Sequence, residues 1–168
     1  NLSQYGNGGA IYTKRSLTFT NCVFTDNGAK GNVTDSGRGG AIYCIGNSSN
    51  SPELIINGSE FIHNYSSKDG GALYLGVKSL TRINQVDTTP TVFKFNYGKG
   101  SNAIFSSGSF LTDASLYLND NIYFNNSDNI HLDSDYSSYK TKSTISNDDD
   151  LMIDIKVNNY SSDDNMTY

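Results

Sequence analysis

The sequence is poor in the residues that cross-link, kink or build helices. It has no tryptophan, two prolines and two cysteines among 168 residues. Alanine, leucine and glutamate are sparse, which argues against a mainly helical chain. The two cysteines, Cys22 and Cys44, lie on different predicted elements. We expect two small half-buried residues there, with a disulfide bridge as the less favoured alternative.

A basic patch and long apolar runs are also missing. The formal charge is −5, and residues 133–168 carry the whole acidic excess. Without clustered lysine and arginine to neutralise phosphates, we expect no nucleic-acid partner. No apolar run approaches the ~18–20 residues that cross a bilayer, so we expect no membrane span. A signal peptide is not visible, and the sequence starts almost in mid-repeat, so we interpret it as a fragment of a longer chain.

What the sequence does contain is a pair of alternating motifs. Two glycines, an alanine, an aliphatic residue and an aromatic residue recur about every 31 residues, at 8–12, 39–43, 70–74 and, in degraded form, 101–105. Between them lies an aromatic-x-x-Asn motif, at 24–27, 61–64, 93–96 and 123–126. Short strands repeating behind paired glycines are typical of a stacked repeat architecture.

Each repeat predicts three short strands and two tight corners, which make one coil of an all-β, three-sided parallel β-helix. We expect about four to five coils over residues 1–132, with exposed loops at 28–38 and 46–53. Residues 133–168 are acidic and lose the pattern. They are predicted to form a partly mobile cap or connector, with the start of a following β-domain as the alternative.

Stacking of coils predicts ladders of equivalent side chains. An interior aliphatic ladder is expected from Ile11, Ile42, Leu73 and Ile104. An aromatic ladder is expected from Phe24, Phe61, Phe93 and Tyr123. A polar ladder is expected from Asn27, Asn64, Asn96 and Asn126, where asparagine would adopt the left-handed conformation of a sharp bend and bond the amide one coil away. The paired glycines let the backbone turn where a Cβ would clash.

Strand alternation sets a second aromatic row opposite the aliphatic ladder, and we predict that it faces outward. Its members are Tyr12, Tyr43, Tyr74 and Phe105. The alternative is that these rings face inward, or that a bent strand buries both sides. An outward row would offer rings for stacking against sugars. The alternative is a purely structural ladder whose rings cover one another and bind nothing. The two loops are alternative contact sites.

The alternation of Gly-Gly-Ala-(Ile/Leu) with Phe-x-x-Asn resembles the chlamydial polymorphic membrane protein repeat. The resemblance covers about residues 8–126, and its last pair lacks both glycines and has Tyr123 in place of phenylalanine. The same repeat occurs in adhesin-like surface proteins of bacteria and methanogenic archaea. The resemblance implies a right-handed parallel β-helix, an extracellular or cell-surface location, and an adhesion or passenger function.

Catalytic chemistry is not expected. A lyase on this fold needs clustered carboxylates for Ca²⁺ and a basic residue near the substrate, and an inverting hydrolase needs a carboxylate pair. The acidic residues of the coils are scattered. His63 and His131 have no cysteine or histidine neighbours at ligand spacing, so we expect no metal and no cofactor. The acidic run 148–150 and the pair Asp133 and Asp135 are interpreted as solvated turns rather than weak Ca²⁺ sites.

The sequence therefore predicts a non-catalytic, adhesin-like β-helix segment that presents a surface to glycans or proteins of a host or neighbouring cell. Other domains of a longer chain would flank it. A polysaccharide-active lyase or hydrolase and a passive structural stalk are the alternatives.

Overall fold

A computed structural model describes residues 1–107, 115–118, 122–124, 128, 130–133, 138–141, 145–147 and 153–156. These residues form short strands joined by turns, and none of them is helical. The strands are β1 Leu2–Ser3, β2 Ile11–Thr13, β3 Leu17–Thr20, β4 Val23–Thr25, β5 Gly28–Ala29, β6 Ile42–Cys44, β7 Glu53–Asn57, β8 Glu60–Ile62, β9 Tyr65–Ser66, β10 Leu73–Leu75, β11 Leu80–Asn84, β12 Thr91–Lys94, β13 Tyr97–Gly98, β14 Ile104–Ser107, β15 Ser115–Leu118, β16 Ile122–Phe124, β17 Ile130–Asp133, β18 Ser138–Thr141, β19 Ile145–Asn147 and β20 Ile153–Lys156.

The strands stack into four parallel sheets, which makes the fold a parallel β-helix. The first face contains β2, β6, β10, β14, β17 and β20. The second face contains β3, β7, β11, β15 and β18, and the third contains β4, β8, β12, β16 and β19. A fourth sheet of two-residue strands, β1, β5, β9 and β13, runs between the third face and the next first face. We call it the corner sheet. The predicted fold class is confirmed, and the corner sheet is an addition to the three expected sides.

Residues 28–38 were predicted to be an exposed loop, and the structure corrects this at its start. Gly28 and Ala29 form β5 of the corner sheet, and both are buried. Ser36 is also buried. Two residues are too few to show a periodic pattern in the sequence.

Alternation within each strand sends one set of side chains into a continuous core. In β7, Leu54 and Ile56 are fully buried, while the residues beside them are partly exposed. The aliphatic rungs Ile11, Ile42, Leu73 and Ile104 pair in register along the first face. The aromatic rungs of the third face stack with ring centroids 4.8 to 5.0 Å apart, in the order Phe24, Phe61, Phe93 and Phe124.

The fourth aromatic rung is Phe124 and not Tyr123, which corrects the predicted ladder. Tyr123 pairs with Val92, and Phe93 pairs with Phe124. Both Phe124 and Ile122 are fully buried, whereas Tyr123 between them is partly exposed. A shift by one residue would exchange the two faces of this strand and expose two large apolar side chains.

Buried asparagines tie successive coils together. The Asn27 amide donates to Asn64 Oδ1 at 2.9 Å, and the Asn64 amide donates to Asn96 Oδ1 at 2.9 Å. The next rung is Asp128, which accepts from the Asn96 amide at 2.8 Å. The predicted rung Asn126 lies outside the described residues.

The ladder asparagines do not take the left-handed conformation that we predicted for them. The positive φ angles belong to the residues just before them, 52° at Asp26, 53° at His63 and 55° at Phe95. The asparagines themselves are held by their buried hydrogen bonds, so their role is pairing between coils and not bending.

Paired glycines are required for two separate reasons. The first of each pair has a positive φ, 69° at Gly8 and 66° at Gly39, and a Cβ there would overlap the carbonyl oxygen three residues on. The second meets the next coil directly, since a Cβ on Gly40 would overlap the carbonyl oxygen of Gly71. In the degraded fourth copy Ser101 is buried, and its hydroxyl accepts from the Gly70 N–H at 3.0 Å.

Beyond residue 132 the described strands continue the same sheets. β18 pairs with β15, β19 with β16 and β20 with β17, all in parallel. The boundary at 132/133 stays a prediction, as does the right-handed winding.

Cys22 and Cys44 are both free, and burial raises the pKa of the Cys44 thiol to about 11.

Replacing Asn64 with leucine should strongly destabilise the fold. The change leaves the Asn27 N–H and the Asn27 side-chain amide without their acceptor, and the Phe24 carbonyl without the Asn64 amide donor. Each unsatisfied buried polar group costs about 1–3 kcal/mol, so we expect a loss of roughly 3–5 kcal/mol in urea unfolding. The control is Asn57→Leu at a partly exposed rung, where water can replace the lost bonds. Similar losses in both variants would contradict the role assigned to Asn64.

Candidate functional site

The predicted outward row forms one continuous column of rings on the first face. Tyr12, Tyr43, Tyr74 and Phe105 stack with centroids 5.1, 4.9 and 5.2 Å apart, and His131 continues the column 4.9 Å beyond Phe105. The rings of Tyr43, Tyr74 and Phe105 form a cluster separate from the main core. The row therefore lies on the opposite side of the sheet from the aliphatic ladder.

This column is closely packed and offers little open ring surface. Tyr12 is 51% exposed, but Tyr43, Tyr74 and Phe105 are only 6–8% exposed. Ring faces are covered by neighbouring rings, and cations lie over two of them, Lys14 at 5.9 Å from Tyr12 and Arg38 at 5.4 Å from Tyr74. The geometry is that of a ladder whose rings cover one another.

Burial also keeps the Tyr43 phenol neutral. Desolvation, with smaller contributions from Tyr74 and Tyr12, raises the pKa of Tyr43 to about 12 despite the opposing effect of Arg38. At neutral pH the phenol is protonated and is neither a base nor a nucleophile. Arg38 itself lies 3.6 Å from Asp69 and 3.5 Å from Asp35.

A second set of aromatic rings is open to solvent at the corner sheet, and the sequence analysis missed it. Tyr65 and Tyr97 point outward from β9 and β13 and stack at 5.7 Å with a 4° interplanar angle. They are 38% and 57% exposed. At the bend before them, the rings of His63 and Phe95 lie 5.3 Å apart and are tilted by 31°. We call His63, Tyr65, Phe95 and Tyr97 the exposed aromatic strip. The one available sequence signal was a tyrosine directly after the motif asparagine in two successive repeats.

Phe95 stands out within this strip because its backbone is strained. Its φ is 55°, and its side chain is 52% exposed. Left-handed backbone disfavours a bulky residue and suits glycine, asparagine or aspartate. Neither burial nor backbone preference favours phenylalanine at this position. Its exposed ring is therefore a candidate for a functional role.

One end of the strip borders a hollow of about 340 Å³. Its lining residues are Asn1, Leu2, Asp26, Asn27, Gly28, His63 and Tyr65. Asp26 Oδ1 lies 3.9 Å from His63 Nδ1, so an acidic group and an imidazole stand at the rim. The hollow thus combines an aromatic wall with hydrogen-bonding groups.

The described part of the chain holds no group of three or more histidine, cysteine, aspartate or glutamate side chains that could bind a metal ion. Nor does it hold a helix of the length and apolar character needed to span a bilayer.

The stacked sheets define a repeat protein of the parallel β-helix class. Residues 21–45 match the family model described as the Chlamydia polymorphic membrane protein (Chlamydia_PMP) repeat. The match confirms the resemblance that the alternating motifs predicted, and in coarse terms it supports a surface protein. No curated protein and no solved structure gives a significant match to the chain.

The raised pKa of Tyr43 predicts a loss of stability at alkaline pH. Between pH 10 and 12 the unfolded phenol ionises while the folded one keeps its proton, so rising pH favours unfolding. Tyr43→Phe should weaken the fall in the urea midpoint over this range and leave the midpoint at pH 8 nearly unchanged. An equally steep alkaline fall in the variant would show that Tyr43 does not contribute.

Replacing Phe95 with asparagine should leave the fold at least as stable. Relief of left-handed strain is worth about 1 kcal/mol, which offsets loss of the partly exposed, tilted ring contact with His63. The urea midpoint of Phe95→Asn is therefore expected to equal or exceed that of the wild type. Phe93→Asn, at a fully buried core rung, is the contrast and should unfold much more easily. A clear loss of stability in Phe95→Asn would mean that its ring is needed for folding.

Proposed function

We propose that this chain is a non-catalytic segment of an extracellular surface protein and that it binds glycans through the exposed aromatic strip. The observation that carries the proposal is the open stack of Tyr65 and Tyr97 beside His63 and Phe95. Aromatic rings with free surface pack against the apolar faces of sugars, and their polar atoms bond sugar hydroxyls. The strip replaces the buried first-face column as the contact surface.

The cell-surface location is supported by the repeat match at residues 21–45, whose family is described as one of membrane proteins. Glycans or glycoproteins of a host or neighbouring cell are the partners proposed. A long repeat array suits such a role, because stacked coils present equivalent positions at a fixed spacing along an extended surface. Other domains of a longer chain would anchor the array.

A polysaccharide-active enzyme is the alternative from another class. Its best candidate among the described residues is Arg38 with Asp35 and Asp69. Arg38 lies between the two carboxylates and over the Tyr74 ring, which ties it into the packed column. We therefore assign this cluster to stability. A passive stalk is the third possibility, and it requires no exposed strip.

A glycan array with purified wild-type and variant protein tests the proposal. Tyr97→Ala removes an exposed ring of the strip and should lower retention on the recognised glycans at least tenfold. Tyr43→Phe, in the packed column, is the matched control and should retain wild-type binding. Circular dichroism establishes that both variants are folded.

Three results would count against the proposal. Equal retention by wild type and Tyr97→Ala would exclude the strip as the contact surface, and no retention on any glycan would favour the passive stalk. Release of reducing or unsaturated sugar ends from a polysaccharide panel, lost in Arg38→Ala, would favour the enzyme.

A further inference from the structure

We infer that the hollow beside Gly28 is a slot for a single sugar ring, held between Leu2 and Tyr65. This inference rests on the proposed function and deepens it, because it assigns the ligand class and the rung that the ligand occupies. It arises from the register of the corner sheet, where Leu2, Gly28, Tyr65 and Tyr97 are successive rungs of one outward column.

The slot exists because one rung of this column has no side chain. Tyr97 covers one face of the Tyr65 ring at 5.7 Å. On the other face the next rung is Gly28, which supplies nothing to cover it. Adjacent parallel strands lie about 4.8 Å apart, so Leu2 and Tyr65, two strands apart, are separated by roughly 9–10 Å. A ring placed midway would contact both at ordinary stacking distance.

The Leu2 side chain forms a movable wall. Its Cδ1 lies 2.9 Å from the place where a Gly28 Cβ would stand, so it leans over the glycine. Leu2 is 51% exposed and can swing outward without opening the core. An entering ring therefore has to displace only one flexible side chain.

The rim of the slot favours a sugar over a purely aromatic occupant. The Asp26 carboxylate is largely exposed and accepts from the Thr25 hydroxyl at 3.2 Å, with His63 3.9 Å away. A carboxylate has about four acceptor positions, so Asp26 can also accept from ligand hydroxyls. A pyranose offers both an apolar face for Tyr65 and hydroxyl donors for Asp26. An aromatic side chain of a partner protein offers chiefly the face.

Amide chemical-shift mapping of the ¹⁵N-labelled chain tests the slot. The probes are methyl glycosides of common hexoses and N-acetylhexosamines, with p-cresol as a mimic of a protein tyrosine. At least one glycoside should shift the Gly28 and Tyr65 amides. A single ring offers few contacts, so the dissociation constant should be on the order of 1 mM.

Two variants that each add a phenol ring sharpen the test. Gly28→Tyr fills the slot with the missing rung and should weaken glycoside binding at least tenfold. Val23→Tyr adds the same ring on the third face, at a residue that is 63% exposed and does not line the hollow, and should bind as the wild type does. Gly28→Ala adds a single Cβ against the flexible Leu2 and serves if the larger variant does not fold.

The outcomes separate the slot from the wider proposal. Shifts confined to Phe95 and Tyr97 would overturn the slot and leave the exposed strip as the binding surface. Array binding by the wild type without any glycoside shift at Gly28 and Tyr65 would do the same. Shifts there with p-cresol alone would overturn the assignment to sugar. Absence of both array binding and glycoside shifts would overturn both proposals.

Discussion

The structure depends on one constraint, the in-register stacking of equivalent side chains at the spacing of parallel strands. At about 4.8 Å a flat ring or an amide can lie directly on its equivalent in the next coil. The asparagine ladder enforces the register from inside, because Asn64 bonds the coils on both sides of it through buried hydrogen bonds. Once this register is set, every other column follows, whether it faces the core or the solvent.

The same constraint decides how much could be predicted from the sequence. Where successive rungs belong to one side-chain class, aliphatic at Ile42 and Leu73 or aromatic at Phe61 and Phe93, motif spacing was enough to place them. In the fourth coil the motif fits Tyr123, but burial of Ile122 and Phe124 sets the register one residue later. The corner sheet was missed because strands of two residues carry no periodic signal. The Tyr65–Tyr97 row, which stands on this sheet, was missed for the same reason.

Two aromatic rows obey one stacking rule and yet differ in what they can contact. The first-face column is flanked on a sheet of longer strands by Lys14, Arg38 and Ile45, and its inner rings are buried. The row of the corner sheet stands on two-residue strands at a bend, so Tyr65 and Tyr97 keep much of their surface open. Periodicity predicts that rings stack, whereas exposure depends on neighbours that periodicity does not identify.

Two residues at the corner depart from what stacking and backbone preference would select. Phe95 is a bulky exposed side chain on left-handed backbone, where asparagine would fit with less strain. Gly28 is a missing rung beside a tyrosine whose face a larger residue would cover. Each departure leaves apolar ring surface open, and the two lie on the same corner, with the turn that carries His63 and Tyr65 between them. Sites that violate local consistency without a structural gain are where function is expected. We therefore propose the corner of the helix, and not its long flat faces, as the place at which this chain meets a ligand.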